Sequence, residues 1–352
     1  MDARKESPRF EMGRRQFVAG AAAVTAGVFS GAPAGAAGPV PTRLLGSTGE
    51  RVSCIGMGGA HVGRLADRAT AVRLVRSAVD RGITFMDNAW DYTMGRSEEW
   101  MGAALRDGYR DRVFLMTKVD GRDAATATAQ LDESLKRLQT DHVDLWQFHE
   151  VIRSNDPERI FAPGGAFEAA MAAKKAGKIR FLGFTGHKAP AIHLEMLRVA
   201  ADHGWTPDTV QMPVNVLDPH YDSFVRQVLP VLVERKIGVL AMKTFGDPYI
   251  FEAVTQAKAS TPAEMLRYSL SLPTSTVITG IDKPEILDQA VLAATNFTPM
   301  SDAEQAALLE RTRTIGETGE HQKMKTSFHF DSTHTTPAWL GPNGEMGYVP
   351  GQ

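Results

Sequence analysis

Short apolar runs alternate with helical patterns through most of the chain. Runs at residues 84–87, 113–118 and 143–149, for example, are each followed by a segment with apolar residues at helical spacing. This alternation is typical of parallel sheets built from strand–helix–strand units. Eight such runs can be counted between residues 54 and 279. They predict an α/β protein with a closed (β/α)8 barrel, the TIM barrel.

The segments on either side of the alternating region predict a hairpin and a tail. Residues 43–53 contain a glycine-bearing turn between two short runs, which indicates a β-hairpin. A last helix is expected at residues 302–309. Residues 326–352 are rich in glycine, proline and aromatic side chains and are predicted to form a loop tail. We therefore expect one barrel domain over residues 42–352.

Residues 1–41 have the features of a processing segment. A basic start containing Arg14 and Arg15 precedes a mildly apolar stretch at residues 17–29. Small residues at 34–36 then offer a cleavage site. The arginine pair, with Phe17 two residues on, resembles a twin-arginine signal. This predicts an exported, periplasmic bacterial protein with the twin-arginine (Tat) translocase as partner. A disordered basic tail is the alternative.

Composition excludes several classes of function. The formal net charge is −2 and no basic stripe is present, which argues against a nucleic-acid partner. The single cysteine, Cys54, rules out an internal disulfide and a cysteine-based zinc site. No stretch after the signal is long and apolar enough to suggest a membrane span.

Four chemically active residues occur in order at the ends of three successive predicted strands. Asp87 ends one apolar run, and Tyr92 follows it five residues later. Lys118 ends the next run and His149 the one after that. In this order and spacing, the four resemble the catalytic tetrad of the aldo-keto reductase superfamily. The resemblance extends over residues 43–294 and implies the hairpin as a plug at the barrel bottom, with the tail folded over the mouth.

Carbonyl reduction explains why these residue types belong together. The reaction needs a hydride at carbon and a proton at oxygen. A tyrosine, with a reference pKa near ~10, is a protonated but slow donor at neutral pH. We therefore expect Tyr92 to act as general acid/base, with the Lys118 ammonium lowering its pKa. Asp87 is expected to pair with the buried ammonium, and His149 to orient the carbonyl.

A nicotinamide cofactor is implied by the same resemblance. No G-x-G-x-x-G segment follows a strand, so a Rossmann domain is not expected. Superfamily members bind an extended dinucleotide across the barrel rim. Thr185 and Gln211 match residues that contact the carboxamide. Gly186 stands where the family usually has asparagine, and the adjacent His187 is expected either to compensate or to be exposed.

Further cofactor positions follow along the chain. Met242 occupies the place of an aromatic ring that stacks on the nicotinamide, although a barrel-core methionine is nearly as good an interpretation. Three residues fall on the loop that wraps the pyrophosphate in the family: Thr244, Phe245 and Gly246.

The residues that match the adenosine end of the cofactor site do not agree on whether a 2′-phosphate is bound. Gly280 lies where a basic or serine residue commonly holds a 2′-phosphate, and Gln289 replaces the usual acid. Lys283 is suited to a 2′-phosphate, whereas Asp282 disfavours one. We therefore expect NADP(H), with NAD(H) nearly as good a fit.

The leading interpretation is an NAD(P)-dependent oxidoreductase that interconverts an aldehyde, ketone or sugar carbonyl with an alcohol. A nucleotide-binding sensor or partner subunit is the alternative, because some members of the superfamily serve ion channels. A barrel metal hydrolase would need a cluster of ligands at the strand ends. Only His149 and Asp87 offer themselves in the sequence, and Lys118 beside them would repel a cation. No metal is therefore expected.

Overall fold

The computed structural model of the chain describes residues 39–342 and residue 347. An antiparallel hairpin, β1 (Thr42–Leu44) and β2 (Arg51–Ser53), precedes a closed barrel of eight parallel strands. The barrel strands are β3 (Ile55–Gly58), β4 (Phe85–Asp87), β5 (Phe114–Val119), β6 (Val143–Phe148), β7 (Ile179–Thr185), β8 (Thr209–Pro213), β9 (Gly238–Met242) and β10 (Thr276–Thr279). The predicted (β/α)8 barrel with its hairpin is confirmed.

Helices occupy the connections between the strands. The chain-order bounds are α1 (Gly59–Val62), α2 (Arg68–Asp80), α3 (Arg96–Ala104), α4 (Ala124–Leu138), α5 (Asp156–Phe161), α6 (Ala166–Lys175), α7 (Pro190–Asp202), α8 (Phe224–Gln227), α9 (Leu229–Glu234), α10 (Tyr249–Gln256), α11 (Pro262–Ser271), α12 (Pro284–Thr295), α13 (Asp302–Gly316), α14 (Lys323–Thr326) and α15 (Ser332–Thr335). Pairing of β10 with both β3 and β9 closes the barrel.

The buried apolar side chains form two layers. One layer fills the space between strands and outer helices. The other fills the barrel interior, and the hairpin residues Leu45 and Val52 pack there with barrel residues such as Phe85 and Leu240. The hairpin therefore seals one end of the barrel. Gly46 of the turn lies against the backbone of Gly238, the first residue of β9, so the sealed end is the amino-terminal one.

The carboxyl-terminal region is more ordered than the sequence analysis predicted. Helix α13 runs to Gly316 rather than to residue 309, and it begins with a capping box between Ser301 and Glu304. The segment predicted as a loop contains the short helix α15 and a 3-10 turn at Pro337–Leu340. The loop prediction is therefore wrong in part, because a segment rich in glycine and proline can still form single helical turns where it packs on the barrel.

The predicted export signal lies outside the described residues, apart from positions 39–41. Within the part of the chain that the structure describes, no helix combines the length and the apolar character needed to cross a membrane.

Candidate active site

Asp87, Lys118 and Tyr92 meet at the carboxyl end of the barrel. Asp87 is the last residue of β4, and Lys118 lies near the end of the adjacent β5. The Lys118 ammonium is 2.7 Å from Asp87 Oδ1 and donates to the Tyr92 hydroxyl oxygen at 3.0 Å. It also donates to the backbone carbonyl of Asn88 at 2.7 Å. All three of its N–H donors thus have acceptors.

Burial makes these contacts obligatory. Lys118 and Asp87 are only 1% and 3% exposed. A buried ammonium is stable only if it is paired and hydrogen-bonded, and removing one partner typically costs about 3–5 kcal/mol. The pair therefore provides a fixed cationic donor next to the Tyr92 oxygen.

The pKa of Tyr92 differs from the expectation. Burial, followed by the negative charges of Asp87 and Asp91, raises the pKa of Tyr92 well above 10. Burial and these carboxylates therefore outweigh the lowering expected from Lys118, and the net shift of the Tyr92 pKa is upward. Tyr92 is protonated at neutral pH. Because its oxygen accepts from Lys118, its own hydrogen is free to point elsewhere.

His149 directly follows β6 and is held by two aspartates that the sequence analysis missed. Its Nδ1 lies 2.9 Å from Asp120 Oδ1 and 3.4 Å from Asp91 Oδ1. Burial acts to lower the pKa of His149, but Asp91 and Asp120 outweigh it and the pKa is raised. Burial and Asp120 in turn raise the pKa of Asp91 to about 7. Both acids follow strand ends closely, and this position was the available signal.

The same cluster contains more candidate metal ligands than the sequence indicates. His149 and Asp87 were the only ligand candidates seen in the sequence. The structure instead brings ligand atoms of Asp91, Asp120 and His149 within 4.8 Å of one another. This arrangement is explained by the hydrogen bond between His149 and Asp120, which orients the imidazole ring.

A cavity of about 540 Å³ opens above these side chains. The whole tetrad lines it, as do seven of the residues expected to hold a nucleotide: Thr185, Gln211, Met242, Thr244, Phe245, Gly246 and Gly280. Phe330 and Trp339 of the tail line its outer edge. The two remaining candidates, Lys283 and Gln289, do not line the cavity. Lys283 is exposed directly before α12, and Gln289 is exposed on the surface of that helix.

Two side chains in the cavity have unused hydrogen-bonding capacity that suits an amide ligand. Gln211 Oε1 is buried and has no hydrogen-bond partner in the described part of the protein. The Thr185 hydroxyl makes only a weak contact of 4.0 Å with the sulfur of Met242. A carboxamide brings both an N–H donor and a carbonyl acceptor, so it complements this pair.

The neighbouring Gly186 and His187 behave differently from the family pattern. A Cβ atom at Gly186 would overlap the carbonyl oxygen of Val151 and lie 2.8 Å from the His193 ring. The backbone therefore leaves no room for an asparagine. His187 is buried, so the alternative that it is simply exposed is wrong. Its Nε2 lies 3.2 Å from the backbone oxygen of Phe330 in the tail, which directs it to the substrate side.

The tail is anchored next to His149. The Glu150 carboxylate accepts hydrogen bonds from the backbone N–H groups of Ser332 and Thr333, each at 2.9 Å. It also accepts from both hydroxyl groups, at 2.8 and 2.5 Å. Lys188 forms a buried ion pair of 2.7 Å with Asp331. The tail is therefore a fixed wall of the cavity.

The fold and the site together define a (β/α)8-barrel protein with a tyrosine–lysine–aspartate–histidine site at the barrel mouth. Residues 54–267, more than half of the chain, match the model of the Aldo/keto reductase family. The chain belongs to this family.

Similar proteins share this assignment. The chain is 31% identical to the aldo-keto reductase YhdN of Bacillus subtilis (strain 168) over 215 residues, 56% of this chain and 59% of that protein. The aligned part thus spans less than two thirds of the relative. It is 28% identical to L-galactose dehydrogenase of Arabidopsis thaliana over 295 residues, 73% of this chain and 89% of that protein.

A solved structure shows the same fold. The holo form of aldo-keto reductase AKR11C1 from Bacillus halodurans superposes with a TM-score of 0.65 at 23% identity, covering 77% of this chain and 96% of that chain. Together with the family match, the relatives support the general assignment of an oxidoreductase.

Proposed function

We propose that the chain is an NAD(P)(H)-dependent oxidoreductase that interconverts a carbonyl and an alcohol, with Tyr92 as general acid/base. One observation carries the proposal. The Lys118 ammonium bridges Asp87 Oδ1 and the Tyr92 oxygen, at 2.7 and 3.0 Å, on the wall of the cavity. This arrangement fixes a protonated phenol beside a buried cation, as proton transfer to a carbonyl oxygen requires.

Tyr92 supplies the proton in the direction of reduction. Its pKa lies well above 10, because of burial and the nearby carboxylates, so it carries the proton at neutral pH. As charge develops on the phenolate oxygen, the Lys118 ammonium stabilises it through the existing hydrogen bond. In the direction of oxidation, the same oxygen takes the proton back.

His149 positions the carbonyl oxygen. Asp120 holds Nδ1, which leaves Nε2 as the remaining ring nitrogen for a ligand. Because Asp91 and Asp120 keep the pKa of His149 raised, the ring favours its charged, doubly donating form. Its ring centroid is 5.7 Å from that of Tyr92, so the two side chains are neighbours on the cavity wall.

The cavity fits a nicotinamide nucleotide. When bound, that group supplies or accepts the hydride. Gln211 and Thr185 would hold its carboxamide, since the Gln211 Oε1 acceptor is buried without a partner. Met242 would contact the ring, and the loop of Thr244, Phe245 and Gly246 would follow the diphosphate. Lys283 and Gln289 would contact the adenosine end of the nucleotide. We propose NADP(H) as the cofactor, with NAD(H) nearly as good a fit.

The substrate is proposed to be a small polar carbonyl compound or a sugar. Polar side chains of the barrel and the tail, including Asp91, His187 and Ser332, line the cavity beyond Tyr92. Such a wall suits hydroxyl groups better than an apolar chain. The similarity to L-galactose dehydrogenase points in the same direction.

Turnover tests this function directly. Wild-type protein mixed with NADPH or NADH and a panel of aldehydes should oxidise the nucleotide, and Tyr92→Phe should reduce the rate by at least about 10²-fold. Tyr109→Phe is the matched control, because it removes a phenol hydroxyl group that is hydrogen-bonded to Asp80 at the surface. Equal, measurable rates in wild type and Tyr92→Phe would reject Tyr92 as the general acid/base, and no turnover by either would favour a nucleotide-binding sensor or partner subunit.

We also propose that the protein is exported through the twin-arginine translocase and works in the periplasm. The support is Arg14-Arg15 followed by an apolar stretch and small residues. Fractionation of cells that express the wild type or the Arg14→Lys/Arg15→Lys variant provides the test. Equal periplasmic amounts of both would reject this route.

A further inference from the structure

Lys243 is a cation in the cavity that the proposed chemistry does not use. It directly follows β9 and lines the cavity wall, where it is half-buried. Its ammonium has no hydrogen bond or ion pair to any described residue. The ammonium lies over the ring of Phe330, 3.7 Å from the ring centroid. A cation above an aromatic face is held in place, but its N–H donors remain without acceptors.

The other lysine and arginine side chains on the cavity wall are already paired with carboxylates. Three lysine or arginine side chains line the cavity: Arg64, Lys118 and Lys243. Arg64 pairs with Asp247 at 3.2 Å, and Lys118 pairs with Asp87 at 2.7 Å. Asp247, the carboxylate that acts most strongly on Lys243, is therefore engaged elsewhere.

The acidic groups of the cavity lie beside partners other than Lys243. Glu150 accepts four hydrogen bonds from the tail, and Asp331 pairs with Lys188. Asp91 lies beside His149. Burial lowers the pKa of Lys243 to about 8, consistent with an ammonium that lacks a counter-charge.

Backbone geometry does not explain a lysine at this position. Lys243 has φ of +58°, in the left-handed region that glycine adopts more readily. The side chain is thus retained in an unfavourable backbone conformation at the cavity wall. Its ammonium lies between two parts of the site: Met242 and Thr244 flank it in the chain, and Phe330 of the tail lies over it.

Resting on the proposed function, we propose that Lys243 binds an oxyanion in the cavity. The anion is either the diphosphate of the nucleotide or a carboxylate of the carbonyl substrate. Both present oxygens that an ammonium recognises through charge-assisted hydrogen bonds. The position of Lys243, between the loop proposed for the nucleotide and the tail, allows either source.

Binding of compounds that are not turned over separates the two sources. ADP-ribose carries the diphosphate without a nicotinamide, and adenosine lacks both. Benzoate carries a carboxylate, and benzamide is its neutral counterpart. Each is titrated calorimetrically into wild type, Lys243→Met, Lys243→Gln and Lys243→Arg. Lys136→Met, which removes an exposed lysine on helix α4, is the control.

The affinities of the variants show which anion Lys243 binds. If Lys243 binds the diphosphate, both neutral variants should bind ADP-ribose at least about tenfold more weakly, with adenosine unchanged and affinity recovered in Lys243→Arg. If it binds a carboxylate, the same pattern should appear for benzoate against benzamide.

Unchanged affinity of the folded neutral variants for both anions would overturn the proposal, as would a wild type that binds neither. Thermal unfolding of Lys243→Met and Lys243→Gln shows which variants are folded. Because no probe reacts, loss of turnover in Tyr92→Phe and loss of anion binding at Lys243 are separate results.

Discussion

The two walls of the cavity are built differently. The wall that carries the tetrad consists of the ends of three adjacent parallel strands, β4, β5 and β6, with Lys118 hydrogen-bonded to three acceptors. The opposite wall consists of the ends of β7, β8 and β9, the loops that follow them, and the tail. There Lys243 has no ion-pair partner among the described residues, and Gln211 of β8 keeps a free acceptor. On the first wall the ammonium of Lys118 has all its donors paired, whereas on the second wall the ammonium of Lys243 and the acceptor of Gln211 are unused.

This contrast separates two ways of holding polar groups. Strand ends are fixed by the register of the barrel, for example Gly58 opposite Asp87 and Lys118 opposite Gln147. Side chains there can be buried and paired before any ligand binds. Lys243 lies just beyond the end of β9 and is free of that register, so it can leave its donors for a nucleotide or substrate to complete. Mutations on the two walls should therefore have different consequences.

The largest effect is expected for Lys118→Met. It leaves the buried Asp87 carboxylate without its cation, so the free energy of unfolding should fall by about 3–5 kcal/mol. Turnover should fall by at least about 10², because Tyr92 loses the group that stabilises its phenolate. Urea unfolding and NAD(P)H oxidation measure the two effects.

Lys188→Met on the other wall is the matched comparison. It also breaks a buried ion pair, with Asp331, so stability should fall again. Burial raises the pKa of Asp331 to about 6, so this acid can take up a proton more easily once its cation is removed. Turnover should fall much less than in Lys118→Met. Equal losses of turnover would show that the tetrad wall is not chemically special.

The same contrast explains how far the sequence could predict the molecule. Alternating runs gave the barrel because strand and helix periods are local properties of the chain. Asp87, Lys118 and His149 could be placed together because the carboxyl ends of parallel strands meet at one rim. The cluster of Asp91 and Asp120 around His149 could not, since it depends on how two loops pack in space.

Three other features were beyond sequence reasoning for the same physical reason. The restriction at Gly186 comes from the carbonyl of Val151, which is 35 positions earlier in the chain. The ammonium of Lys243 has no hydrogen bond or ion pair to a described residue, which depends on how the whole site packs. The pKa of Tyr92 is raised by burial and by neighbouring negative charges. None of these leaves a local pattern.

Asp120→Asn is expected to change the pH dependence of the reaction rate, with an effect of intermediate size. The asparagine oxygen can still accept from His149 Nδ1, but one negative charge is lost, so the pKa of His149 should fall. If the charged imidazole donates to the carbonyl, kcat/KM for reduction declines as pH rises through that pKa. The decline should therefore begin at lower pH in Asp120→Asn. Asp111→Asn, at an exposed aspartate, should leave the profile unchanged.

Stability should follow the same linkage. A histidine whose pKa is raised on folding contributes stability that is fully present below about pH 6.5 and lost as pH rises through the folded value. Asp120→Asn should therefore destabilise the protein more at pH 5.5 than at pH 9 in urea unfolding. An unshifted rate profile together with equal losses at both pH values would contradict a charged His149.

The smallest effect is expected where the chain departs from its family, at Gly186. Restoring the usual asparagine would place a Cβ against the Val151 carbonyl and 2.8 Å from the His193 ring, so Gly186→Asn should lower the free energy of unfolding by about 1–3 kcal/mol. Nucleotide affinity should not improve, because the backbone must shift to admit the side chain. Gly177→Asn is the control, since Gly177 has φ of +73° with open space around it, and asparagine tolerates that conformation. Tighter nucleotide binding in a stable Gly186→Asn would mean that the loop wall adapts more readily than the contacts of Gly186 imply, and that the missing amide, rather than packing, distinguishes this chain from its relatives.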